Sequence, residues 1–365
     1  MSLIVDGTSG VTFNDSSLQG AAASPFGLKN RIINGDMVID QRNAGASVTA
    51  STTGAYALDR WYLEEATDGA ATVQQVSDGP TGFTNSLRVT VTSTDTSIGA
   101  SQYFEVDQNI EGFNTADLGF GTASASTITI SFWVKSSLTG TFGGSIRNSA
   151  ANRSYPFSYT INAANTWEKE TITIAGDTTG TWIGATNGIG LRLTFALAAG
   201  SSLSGTVNTW AGSNLLAPTG STNLMGTASA TWQITGVQLE RNITATPFEW
   251  IPYGTELALC QRYCFVYRPS TNFAPYLMAH GINTTSMRGL LKFPQTMRAA
   301  PSLTFTAANT FQWSFGNVAT SIALAEQGVD MSSVDIGSTG ITANGGYMIT
   351  SANTTNSSII GSSEL

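Results

Sequence analysis

The sequence predicts an all-β protein: an antiparallel sandwich or barrel over residues 29–253, a smaller β domain over 254–365, one short helix between them and an extended N-terminal arm over 1–28. Three observations carry this. Apolar residues recur with period two in run after run, as strands with one buried face require. Outside residues 255–266 no segment has a useful 3.6 period, which excludes helical crossovers between parallel strands. Charged residues make up only 11% of the chain against about 25% in an ordinary globular domain. The surface must then be Ser, Thr, Asn, Gly and Ala, which suits strands better than helices with Glu and Lys on their wet faces.

In the arm, Leu3, Val5, Val11 and Phe13 are separated by Gly-rich turns and followed by QGAAASPFG. This is too little apolar mass for a core of its own, yet more than a disordered tail needs, so the arm is expected to dock onto another subunit. In the first large segment Ile128, Ile130, Phe132 and Val134 share one strand face, and Thr129, Ser131, Trp133 and Lys135 the other. The alternation recurs at Leu87, Val89 and Val91, at Phe104, Val106 and Ile110, and at Leu191, Leu193, Phe195 and Leu197, with turns at DGP, GDTTG, TNG and AAG. GTELALCQRYCFVY has helical composition, with Thr255 placed as N-cap and Glu256 in the first turn. A helix over 255–266 would put Cys260 and Cys264 on one face beside Leu257, as buried free thiols. Period-two runs then return in GLLKF, PSLTFTA, FQWSF, SIALA and GYMITS, with Pro294 and Pro301 at strand ends.

Sixteen basic residues against twenty-four acidic give a net charge of −8 without a basic run, which argues against nucleic acid as a partner. With one His, His280, and two Cys, a zinc site needing three or four His, Cys or carboxylate ligands has little to draw on, and a nucleophilic triad would have to use His280 itself. The first residues lack a basic n-region and an apolar h-region, and no stretch approaches the roughly 20 apolar residues that span a bilayer. The chain is therefore expected to be made in the cytoplasm without a signal peptide and without membrane insertion.

Two stretches resemble a known family. ATWQITGVQLERNITATPFEW, residues 230–250, looks like the closing strand of jelly-roll carbohydrate-binding modules found in glycanases and in many phage structural proteins. INGDM at 33–37 and NTWEKETITIAGDTTGTW at 165–182 resemble the opening and a middle strand pair of that domain. ELALCQRYCFVY with LKFPQTMRAAPSLTF resembles the C-terminal region of bacteriophage tail, fibre and receptor-binding proteins, and VDGTSGVTFNDSSLQ resembles a tail-fibre leader. The resemblance implies a jelly roll, a virion-anchoring arm, a homotrimer, other tail or virion proteins as partners, and a place on the particle surface. Family members often hold a structural calcium through an Asp pair just before V-Q-L-E. Here Thr235 and Gly236 stand there, leaving Asp36 alone, so no cofactor is expected and any calcium would rest on backbone carbonyls.

Glycan-binding candidates on the wet strand faces are Trp133, Lys135, Arg192, Tyr103 and Gln102: an aromatic plane stacks on a pyranose while amide, guanidinium and hydroxyl groups hold its hydroxyls. Trp133 either does this or is covered by the arm or a neighbouring subunit. Tyr276, His280 and Tyr347 are candidates for an exposed receptor-binding tip within 267–365, and Trp313 is placed in a core or interface. Glu64 and Glu65 point to opposite strand faces, and Glu168 and Glu170 read as edge charge, so no carboxylate pair for glycan hydrolysis is evident. The expected function is non-enzymatic adhesion to a host surface glycan as a tail fibre or receptor-binding protein. A head-decorating or head-fibre protein and a capsular polysaccharide depolymerase are the alternatives.

Overall fold

The computed structural model describes residues 28–365 except Phe315, with Ser314 as backbone only, and the backbone of three short strands, Ile4–Asp6, Gly10–Thr12 and Leu18–Gln19. Those three form an antiparallel sheet with Val5 opposite Val11. Leu3 and Phe13, and the side chains of Val5 and Val11, lie outside the described residues.

The fold is all-β. A jelly-roll sandwich of two six-stranded antiparallel sheets is followed by a smaller β unit, with one short helix between. The first sheet runs Glu168–Ile174, Ile128–Ser136, Thr231–Glu240, Ser86–Ser93, Ala70–Val76, Val48–Thr49; the second runs Ser154–Ile161, Gly140–Arg147, Ile189–Ala199, Tyr103–Glu111, Trp61–Glu65, Ala55–Leu58. Period two places the apolar residues on the facing sides of the two sheets: Ile128, Ile130, Phe132 and Val134, like Leu191, Leu193, Phe195 and Leu197, are buried in one core. Each such side chain contributes about 1.5–3 kcal/mol by leaving water. At the centre Phe132 meets Phe195 and Tyr159 edge-on at 5.0 and 5.1 Å. The buried indole of Trp232 donates to Tyr159 Oη at 3.0 Å, satisfying two polar groups that would otherwise be stranded.

Gly236 explains the departure from the family pattern. Its φ is +62°, a value glycine adopts without penalty, at a register shift where Trp133 pairs with Thr235. A Cβ there would sit 2.7 Å from the Phe83 ring. Aspartate is excluded at that position by backbone and packing together.

The helix spans Tyr253–Gln261, shorter than the expected 255–266. Pro252 precedes it, and no side chain caps it, so Thr255 is not the N-cap. Glu256 instead accepts from the buried Asn34 N–H, tying the helix to the sandwich's opening loop. Cys264 opens the strand Cys264–Tyr267, so the two thiols do not share a helix face; both are free and buried. Strand pairing overrides helical composition here because Ile359–Ser362 takes up the backbone of 264–267.

In the smaller unit the sheet Cys264–Tyr267, Ile359–Ser362, Ser302–Phe305 covers one face of a seven-stranded sheet that includes Gly346–Ser351, Pro275–Gly281, Ser286–Lys292, Met331–Gly337 and Ser321–Glu326. Phe265, Phe311, Ile336, Ile349 and Ile359 are in its core. Because the last strand pairs beside the helix, residues 363–365 return to the sandwich. There the Arg60 guanidinium, 3.7 Å from the Tyr263 ring, bonds Glu364 and the Asn109 carbonyl. Arg42 bonds Glu364 at 2.9 Å.

Removing one partner of a buried ion pair strands the other. Glu364→Ala is expected to lower stability by about 3–5 kcal/mol, read by urea unfolding, while Arg60→Met combined with Glu364→Leu recovers much of that loss.

Candidate functional site

The wet face of the second sheet carries a dense polar cluster. Cross-strand register sets Tyr62 beside Asp107, Thr194 and Ser145, and Glu64 beside Glu105, Ala196 and Gly143. A third row holds Asn109, Arg192 and Arg147. Directly opposed residues on neighbouring strands point the same way, so three strand pairings assemble this face from residues far apart in sequence.

Its floor is buried. Arg147 Nη2 donates to Glu105 at 2.7 Å, Asp107 at 3.2 Å and Thr194 Oγ1 at 2.8 Å, and Nη1 donates to Asn214 Oδ1 at 3.1 Å. Burial disfavours the charged form of both carboxylates, and Arg147 and Arg192 oppose it. Burial first, and Asp107 second, push the Glu105 carboxyl up to about 8. Asp107 is also raised by burial, with Arg147 opposing. Five polar atoms on this face are enclosed and bonded to no protein group: Asp107 Oδ1, Asn109 Oδ1, Ser145 Oγ, Arg147 Nε and Arg192 Nε. Enclosed polar atoms of this kind normally have a partner, most simply a buried water.

Tyr62, Glu64, Tyr103 and Arg192 form the half-buried rim. Tyr103 Oη donates to Glu64, and both phenols are held above their usual range, first by burial. Residues 200–222 close one end: Leu203, Leu216 and Ala217 pack with Ala196 and Tyr103, and a Cβ on Gly143 would meet the Pro218 ring at 2.4 Å. Leu365 closes the other, its carbonyl accepting from Asn109 Nδ2 at 3.1 Å and Tyr56 Oη at 3.2 Å.

The five glycan candidates from the sequence therefore separate. Tyr103 and Arg192 lie on this face. Gln102 lies beside it but closes a turn, accepting from Gly99 N–H at 2.6 Å. Trp133 and Lys135 are on the wet face of the other sheet, across the sandwich. Lys135 is held there by Asp78 at 2.5 Å and lies 4.8 Å over the Trp167 ring, and half-buried Trp133 sits beside Gly236 near Phe83. One site cannot use both groups.

The tip candidates change as well. Tyr276 packs on Phe311 at 5.2 Å and bonds Ser357, and Tyr347 meets Trp313 edge-on at 4.9 Å and bonds Thr342, so both are structural. His280, by contrast, is exposed. Among the described residues no three His, Cys, Asp or Glu side chains gather as a metal site. A cleft of about 220 Å³ lies beside Phe120 and Trp182, where the Trp182 indole bonds Asp177. Sequence reading missed Glu105, Asp107 and Arg147. The signal for the first two was present: in YFEVDQN the residues Tyr103, Glu105, Asp107 and Asn109 alternate with buried Phe104 and Val106.

No family model matches the chain, and no curated protein matches it in sequence. Among solved structures the chain is similar to the enzymatically active domain of tailspike protein 4 of bacteriophage CBA120, at 14% identity over 58% of this chain and 21% of that one, with a TM-score of 0.33. It is also similar to the family 11 carbohydrate-binding module of Clostridium thermocellum in complex with a β-1,3-1,4-mixed-linked tetrasaccharide, at 12% identity over 51% and 91%, with a TM-score of 0.28. A family 4 carbohydrate-binding module matches at 15% identity over 57% and 98%, with a TM-score of 0.27. All three likenesses are distant, and the chain spans about a fifth of the tailspike chain it matches.

The Glu105 carboxyl generates a pH prediction. Its native value near 8 lies above its ordinary 4.5, so between those values the native chain holds a proton that the unfolded chain releases. The stability this contributes is full below about pH 4.5 and is lost as pH rises through about 8. Glu105→Gln, which mimics the protonated form, is expected to melt progressively higher than the parent as pH is raised from about 5 to about 9. Melting curves across that range check it; a constant difference contradicts a buried proton at Glu105.

Proposed function

We propose that the chain is a non-enzymatic adhesion protein of a bacteriophage particle, a tail fibre or receptor-binding protein, that holds a host surface glycan on the polar face of the second sheet. The observation that carries the glycan reading is the half-buried rim of Tyr62, Tyr103 and Arg192 over a polar floor on one strand face. Sugars present rings with apolar faces and hydroxyl edges that both donate and accept; tyrosine planes and a floor of mixed donors and acceptors suit that chemistry. The phage assignment rests on the leader-like N-terminus and the fibre-like C-terminal segment. In this reading the chain acts as a homotrimer on the virion, attached through its N-terminal residues to other virion proteins. Many weak contacts on one particle then add to firm attachment through effective concentration. The same parts suit a head fibre, and labelling the protein on intact particles separates the two positions.

The depolymerase alternative has one observation in its favour: a carboxyl raised to about 8, Glu105, lies opposite a second carboxylate, Glu64, a pattern that acid–base catalysis uses. Against it, Glu105 is only 4% exposed and is engaged by Arg147. Purified protein is expected to release no reducing ends from host envelope polysaccharide. Release that is lost in Glu105→Gln would establish the alternative instead.

Tyr62→Ala and Arg192→Ala are each expected to weaken binding to host polysaccharide by about tenfold or more, measured by affinity electrophoresis, with the fold retained. Trp133→Ala, on the opposite sheet, is expected to leave that binding within about twofold. The reverse pattern would move the site to the Trp133 face.

A further inference from the structure

A groove of about 520 Å³ opens on the smaller unit and shares no lining residue with the Tyr62 face. Three segments wall it: the strand Cys264–Tyr267 with the turn that follows, the start of Pro275–Gly281, and the end of Ser286–Lys292. Tyr267 joins the first to the third, its hydroxyl donating to the Lys292 carbonyl at 2.8 Å. Tyr276, held by Phe311 and Ser357, stands in the second. Pro269 and Pro275 line the groove at either end of the turn, and each fixes its own φ. The walls are therefore in place before any ligand arrives, which spares the cost of ordering them.

The charges in this groove have one sign. Arg268 and Lys292 both line it and both are exposed, and no Asp or Glu is among the lining residues. Among the described residues neither cation is in a salt bridge. Arg268 Nη2 donates to a neutral group, the Arg42 carbonyl, at 3.2 Å. Burial raises the Tyr276 hydroxyl, and Ser357 and Arg268 oppose that rise, so the guanidinium acts on the polar end of this ring. A concave surface lined by one sign of charge concentrates ligands of the other. A bare phosphate or sulfate would fill a small part of the volume and leave the tyrosine and Leu290 walls without a partner. A sugar ring that carries a carboxylate uses both, its apolar face against the aromatic walls and its charge against the cations. We propose that this groove is a second glycan site, selective for an acidic sugar whose carboxylate is held by Arg268 and Lys292. The inference goes beyond the Tyr62 face, and either site can exist without the other.

Isothermal titration of the full chain with trigalacturonate tests it, with the methyl ester of the same trisaccharide as the uncharged counterpart and sodium sulfate as the bare anion. Trigalacturonate is expected to bind at least about tenfold more tightly than the ester, and Arg268→Gln and Lys292→Gln each to weaken it by about tenfold. Lys292→Arg, which keeps the charge, is expected to stay within about twofold of the parent. Affinity should fall as salt is raised from about 50 to about 300 mM, because both cations are exposed. Tyr62→Ala should leave trigalacturonate binding unchanged. Equal affinity for acid and ester, no binding of trigalacturonate, or parent-like binding by the Arg268→Gln, Lys292→Gln double variant would each overturn the proposal. So would sulfate displacing the trisaccharide at equal concentration, which would make the groove a simple anion site. If Tyr62→Ala loses trigalacturonate and the groove variants keep it, the acidic sugar lies on the Tyr62 face: this proposal then fails while that reading stands. Both substituted side chains are exposed, so circular dichroism of the variants is expected to match the parent.

Discussion

The Arg60 guanidinium is the constraint on which the arrangement of this molecule turns. It is among the largest fully buried side chains, on a residue whose φ is +72°, and a buried cation must find an anion or acceptors nearby. It finds them in three separate parts of the chain: Glu364 at the end of the last strand, the Asn109 carbonyl on the central strand of the second sheet, and the ring of Tyr263 just past the helix. Arg42 and Asp59 complete a compact set of two cations and two anions. Burial pushes the Asp59 carboxyl up to about 6, against the pull of Arg42. The backbone conformation at Arg60, unfavourable for a side chain of that size, is held by contacts from both β units at once.

The candidate site inherits its geometry from that contact. Tyr62 and Glu64 lie on the strand that begins just after Arg60, and Asn109 ends the floor row that Leu365 covers. Glu111, two residues on, accepts from Arg262 at 2.6 Å and Tyr263 Oη at 2.6 Å. The strand that carries Glu105, Asp107 and Asn109 is thereby pinned at one end by the helix and the last residues of the chain. Hydrogen-bonding groups meant for a ligand must be held before it arrives, or their ordering is subtracted from the binding energy. A floor fixed by buried ion pairs meets that condition better than one built on loops.

The sequence made the strands legible and their neighbours not. Alternation tells which side of its own strand Trp133 or Arg192 occupies, and both indeed face away from the core. It cannot tell which strands lie side by side, and so Trp133 and Arg192 were grouped although they sit on opposite sheets. Glu64 was set aside because Glu65 points the other way, when its partner across the strands is Glu105, forty-one positions on. The helix was read too long because CQRYCFVY has helical composition, while the pairing that turns Cys264–Tyr267 into strand comes from Ile359–Ser362 near the other end of the chain. Gly236 looked like a missing ligand and is a backbone requirement. In each case the deciding interaction is long-range, and composition over a short window carries no record of it.

The low charge of the chain takes on a sharper meaning once its charges are located. Arg60, Arg147, Asp59, Glu105, Asp107, Glu111 and Glu256 are all buried, so part of the small charged complement fixes the interior, and the outside is poorer in charge than the composition suggests. Coulombic attraction between exposed groups is screened over about 8 Å at physiological salt, so adhesion built on it would vary with the medium. A surface of hydroxyls, amides and aromatic planes over a floor of fixed charges responds to the shape and hydroxyl pattern of its ligand instead. Binding at the Tyr62 face should therefore depend little on ionic strength.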